Sequence, residues 1–87
     1  MGKIRNIRNL GPATEEMLAE VDIHSEEELR EIGAVAAYQR MVFRFGRNVS
    51  LNALYAMAAG LEDVDWRALD SETKQRLRDS IKLPTDT

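Results

Sequence analysis

The chain has 87 residues, 44% hydrophobic and 31% charged, which leaves room for one modest core and has the balance of a folded rather than a disordered protein. It has no cysteine, which excludes disulfides, thiolate metal sites and a cysteine nucleophile. A formal net charge of −3 argues against a strongly electrostatic nucleic-acid binder, and no apolar run reaches the roughly 18–20 residues that span a membrane.

The first residues, MGKIRNIRNLGP, lack the continuous apolar stretch of a secretory signal, and Asn6 stands where a myristoylation signal carries Ser or Thr. With the absence of cysteine, this makes the cytoplasm the expected location. Ile4, Ile7 and Leu10 recur every third residue and predict a short helix facing the core. Gly11-Pro12 ends it, and proline suits the first turn of the next helix because its missing N–H would be unpaired there. That helix is predicted over about Pro12 to Val21, burying Ala13, Met17, Leu18 and Val21, with Glu15 and Glu16 at the positive end of its dipole.

Asp22 to His24 form a corner, and Ser25 with Glu28 reads as a capping box that opens a second, short helix anchored by Leu29 and Ile32. Gly33 is its left-handed stop. A third helix is predicted from Ala34 to Phe45, ended by Gly46, with Val35, Tyr38, Met41, Val42 and Phe45 buried and Phe43 off that stripe. Ser50 is placed to cap a fourth helix carrying Leu51, Leu54, Tyr55, Ala58 and Leu61 and ending near Gly60. Asp65 or a neighbour starts a single turn holding Trp66 and Leu69, and Asp70 or Ser71 caps a last helix with Leu77 and Ile81. Pro84 stops that helix ahead of a frayed tail. No alternating strand pattern, repeat or linker interrupts the series. The expected architecture is a single all-α compact domain over residues 1–87, of about five to six short helices. Its core runs from about 4 to 82, with a tail at 84–87, and Leu18, Leu54, Tyr55, Trp66 and Leu77 are largely buried.

Charge is unevenly spread. Residues 1–11 carry Lys3, Arg5 and Arg8 and no acid, and residues 38–50 carry Arg40, Arg44 and Arg47 and no acid. Residues 13–32 hold eight acids against Arg30 alone. Such runs ordinarily solvate exposed helix faces. The one histidine, His24, has no second His or Cys with metal-ligand spacing, and Ser25, Ser50 and Ser71 each have a capping role outside any G-x-S-x-G. Adjacent glutamates point to different sides of a helix, so they do not converge as an acid–base pair. No catalytic residue, metal or cofactor is expected, and the chain reads as non-enzymatic. Tyr38, Phe43, Phe45, Tyr55 and Trp66 have the chemistry to stack bases, yet helical spacing assigns all but Phe43 to the core.

Residues Ile7 to Thr14, I-R-N-L-G-P-A-T, resemble the helix-hairpin-helix pattern L-P-G-I-G-P-K-T. The second glycine, the apolar residue between the glycines and the following proline match. Arg8 replaces the first proline, Asn9 the first glycine and Ala13 the lysine. Asn tolerates the left-handed conformation that such a turn needs. The resemblance implies phosphate contact by backbone N–H groups at the hairpin, with Lys3, Arg5, Arg8, Asn9, Gly11 and Thr14 as candidates and Arg40, Arg44 and Arg47 as a possible extension. Glu15 and Glu16 place negative charge beside any phosphate. Binding of this kind is therefore expected to be weak, sequence-independent and salt-sensitive, with a log-log slope of only about −2 to −3.

A longer resemblance covers nearly the whole chain. Asn9-Leu10-Gly11-Pro12, the Ile23-His24-Ser25 corner, Leu29 with Gly33-Ala34, Tyr38, and Ser50-Leu51-Asn52 with Leu54-Tyr55-Ala56 are similar, in order, to the C-terminal domain of the TfoX competence-regulator family. The family implies a helical domain with a helix-hairpin-helix-like unit and a role in bacterial competence or transcription regulation. In its regulators this domain follows a separate N-terminal domain, which these residues do not contain. No catalytic residues carry over. Two readings of function stay open. One is a regulatory protein–protein interaction module whose surface is Phe43, covered by a protein partner or by a second copy in a homodimer. The alternative is the weak nucleic-acid-binding module.

Overall fold

Caps and stops written into the sequence cut the chain into short helices. The computed structural model describes residues 2–46 and 49–81. Its helices are α1 (Pro12–Ala19), α2 (Glu26–Ile32), α3 (Ala34–Phe45), α4 (Leu51–Leu61) and α5 (Ser71–Ser80), with single 3-10 turns at Ile4–Asn6 and Trp66–Ala68. No strand occurs among the described residues, so the fold is all-α. Arg47, Pro84, the 84–87 tail and the expected end of the core at residue 82 lie outside the described residues.

Side-chain caps open α2, α5 and the Trp66–Ala68 turn, while α1, α3 and α4 begin without one. The Ser25 hydroxyl accepts the Glu28 N–H at 3.2 Å, while Glu28 Oε1 accepts the His24 N–H at 2.7 Å, so the box closes one residue further back than its usual form. Asp65 accepts the Arg67 N–H and Asp70 accepts the Thr73 N–H. Ser50 does occupy the position before α4, but its hydroxyl accepts no helix N–H, which corrects the expected cap. Gly33 and Gly46 take φ of 90° and 69° and end α2 and α3 as expected.

The other two stops were not legible as stops. Asp22 and Asp63 sit at φ 67° and 60° and close α1 and α4 in the same way. Asp22 N–H bonds Ala19 O while Ile23 N–H reaches Leu18 O; Asp63 N–H bonds Gly60 O while Val64 N–H reaches Ala59 O. These paired bonds satisfy carbonyls left open at a helix end. Helix α1 therefore ends at Ala19 rather than Val21, and α4 ends at Leu61, near Gly60 as expected.

The N-terminal apolar triplet is buried as expected but not on a helix. Ile4 lies on the first 3-10 turn, and Ile7 to Leu10 form a β-turn closed by Leu10 N–H to Ile7 O at 3.1 Å. Asn9, third in that turn, has φ 74°, a conformation that Asn tolerates better than most side chains.

One core joins these turns to α1–α4. Leu18, Ile23, Leu29, Met41, Leu54 and Met57 are fully buried in it, with Tyr38 and Tyr55 at its edges. In α3 the buried stripe is Ala34, Ala37, Tyr38 and Met41, turned toward the alanines relative to the expected one. Val35 and Phe45 are half-buried, and Val42 is 37% exposed. Small side chains at the contact let helix axes approach closely, so the alanines rather than the valines face inward. Ala13 and Leu51 are likewise exposed, and Trp66 and Leu77 are half-buried rather than buried. Both of the latter belong to the thinly packed α4–α5 side, where α5 contributes no buried residue.

Candidate functional site

Two surfaces gather the residues singled out in the sequence. At the hairpin, Gly11 precedes α1 in extended backbone (φ −124°, ψ −172°), and a Cβ there would meet nothing within 4 Å. No side chain caps α1, and Pro12 at its first position carries no N–H. The basic residues around them are less available than their number suggests. Arg5 is held by Glu15, with Nη2 and Nε at 2.7 and 2.9 Å from Oε1 and the Arg5 N–H at 3.2 Å from Oε2. These bonds hold the Glu15 carboxyl below its ordinary range and raise Arg5.

Asn9 is also engaged inside the fold. Its amide donates to Val64 O at 2.8 Å and, at 3.4 Å, to Ala56 O, while its Oδ1 accepts the Trp66 N–H at 3.3 Å. It clamps the hairpin to the loop after α4. Lys3 and Arg8 remain exposed and form no ion pair among the described residues, and Thr14 is half-buried. The lone His24 is exposed, with Nε2 3.9 Å from Asp22 Oδ1, and no group of three His, Asp or Glu gathers among the described residues.

The second surface lies between the C-terminal end of α1 and the outer face of α3. Phe43 is 95% exposed and stands at the rim of a groove of about 510 Å³, with Val21 and Ala36 on its apolar side and Arg40 and Arg44 beside them. Arg44 Nη2 pairs with Glu20 Oε1 at 3.2 Å, and its guanidinium lies 4.9 Å from the Phe45 ring centroid. Arg40 makes a long 3.5 Å contact to Val21 O, at the carbonyl end of α1. Glu20 and Arg44 also line a second depression containing Met17 and Phe45, so the two run together as one face. Arg40 and Arg44 flank Phe43, on a helix without an acidic residue. Val21 and Ala36 were not singled out beforehand as part of a surface, because the expected α1 and α3 stripes gave no reason to place them together.

The comparisons agree with this architecture. A family model described as the TfoX C-terminal domain matches residues 1–81. Two crystal structures from Listeria monocytogenes are similar, one of an uncharacterized protein in a triclinic form and one of a protein of unknown function in a tetragonal form. Each is 25% identical with a TM-score of 0.82 over 88% of this chain, covering 86% and 94% of the respective Listeria chains. No curated protein matches the chain.

Proposed function

The chain belongs to the TfoX C-terminal domain family, and we propose that it acts as a non-enzymatic regulatory module that receives a partner protein on the α1–α3 face. The observation that carries this reading is Phe43, a large aromatic 95% exposed at the rim of an apolar groove. The partner segment is an acidic amphipathic helix. Its apolar side fills the space beside Val21, Ala36 and Phe43, and its carboxylates meet Arg40, which forms no ion pair among the described residues. Helix α3 supplies no acid, and the one carboxylate lining the groove, Glu20, is paired with Arg44. At the hairpin, by contrast, Arg5 is committed to Glu15 and Asn9 to backbone, which favours a protein partner over phosphate.

The test uses a helical peptide with leucines at i, i+3 and i+7 and glutamates on its flanks, titrated by fluorescence anisotropy. Wild type binds it in preference to a lysine-flanked version. Phe43→Ala, or Arg40→Glu with Arg44→Glu, weakens binding by about tenfold or more. Equal binding by these variants refutes the face. Sedimentation of wild type as a dimer that Phe43→Ala dissociates would make a second copy the occupant. Saturable duplex-DNA binding at low salt, lost in Arg8→Glu with Gly11→Asp, would favour the nucleic-acid reading instead.

A further inference from the structure

Helix α5 sits on the fold differently from the other four. Its sequence, SETKQRLRDS, offers Leu77 as its one large apolar side chain, followed by Ile81 just past its end. No residue of α5 is buried, whereas α4 beneath it buries Leu54, Tyr55, Met57, Ala59 and Gly60. Polar groups take over the tethering. Lys74 Nζ lies 5.5 Å from the Tyr55 ring centroid and 5.9 Å from that of Trp66, and Arg78 Nη1 donates to Tyr55 Oη at 2.9 Å. Between the two helices runs an incompletely filled cleft of about 360 Å³ with a mixed lining, apolar at Ala59, Leu69 and Leu77 and polar at Glu62, Thr73 and Arg76.

These features place α5 at the low end of local stability. Elements with few buried apolar contacts and solvent-facing hydrogen bonds open at lower free energy than the whole fold. A ten-residue helix is also marginal on its own in water, so α5 holds its shape only while docked. Helix α4 also packs on α3, and Leu77 and Ile81 are only half-buried where they meet the core.

We propose that α5 is a displaceable cover: it leaves α4 as one cooperative unit and bares a second apolar face, Tyr55, Ala58 and Trp66, while the hairpin and α1–α4 stay folded. The chain thereby carries one permanently open surface at Phe43 and one that is masked by its own last helix. The two are independent, so failure of either leaves the other standing.

Native-state hydrogen exchange on the full chain tests this. Amides of Gln75 to Ser80 should share one opening rate and exchange at least about a hundredfold faster than the slowest amides of α3 and α4. Leu77→Ala should speed the α5 amides a further fivefold to tenfold or so while leaving α3 and α4 unchanged. Trp66, the single tryptophan, should shift its emission at a lower urea concentration than that at which far-UV ellipticity is lost. Exchange of α5 together with α4 at the global rate overturns the proposal. So does a gradient of rates fraying from Ser80 inward, a uniform effect of Leu77→Ala on every helix, or coincident Trp66 and ellipticity transitions.

Discussion

Replacing Gly60 with alanine separates two accounts of the same residue. Read locally, glycine near the end of α4 is a weak helix former, and alanine there gains about 0.8–1.0 kcal/mol of helix propensity. In the fold, Gly60 is where the hairpin rests on α4. A Cβ at this position would clash with Arg8 O and lie 2.8 Å from Ile7 Cγ2. Arg8 O belongs to backbone, within a turn pinned by the Asn9 bonds to Val64 O and the Trp66 N–H, so it has little freedom to move aside. Forcing a methyl into a packed contact costs about 1–3 kcal/mol, and a backbone clash belongs in the upper half of that range. Subtracting the propensity gain leaves a net loss of about 1–2 kcal/mol. For a domain of this size each kcal/mol lowers Tm by about 4–8 °C. Thermal melts followed by far-UV circular dichroism measure it, with Gly11→Ala as the control, since a Cβ there meets nothing within 4 Å at an ordinary φ. An unchanged or raised Tm for Gly60→Ala would refute the seating of the hairpin on α4.

Leu18→Ala and Leu54→Ala each remove a fully buried side chain and should cost about 2–5 kcal/mol in urea unfolding, a large share of the stability of so small a domain. Asp22→Gly should raise Tm, because glycine adopts the left-handed φ of 67° without strain and a carboxylate at the carbonyl end of α1 faces the wrong pole of the dipole. The Asp65 carboxyl, bound by Arg67 through side-chain and backbone N–H groups, is lowered from 3.8 to about 2. A carboxylate depressed on folding stabilises above its ordinary value, and that contribution is lost as pH falls from about 4 toward 2. Carbon-detected NMR titration should find the Asp65 midpoint near 2 in wild type and raised part of the way toward 3.8 in Arg67→Ala, which keeps the backbone N–H bond.

What the sequence determined by itself is local. Ser25, Asp65 and Asp70 open elements because a short polar side chain reaches an N–H two or three residues on, and Gly33 and Gly46 close them because they enter positive φ without strain. Apolar spacing was enough to place Leu18, Leu29, Met41, Leu54 and Tyr55 in one core. The tertiary structure decided whatever depends on partners far along the chain. Asn9 meets Ala56 and Trp66, 47 and 57 residues away, and this turns a candidate phosphate residue into a clamp. Arg5 and Arg44 are neutralised by Glu15 and Glu20 across element boundaries, so a basic run in sequence is only partly a basic surface. The same holds for α3, whose alanines rather than valines turn inward, and for Gly60, whose missing side chain is required by Arg8. Periodicity states that a helix has an apolar side; which atoms lie against it is fixed only when distant segments compete for the same space.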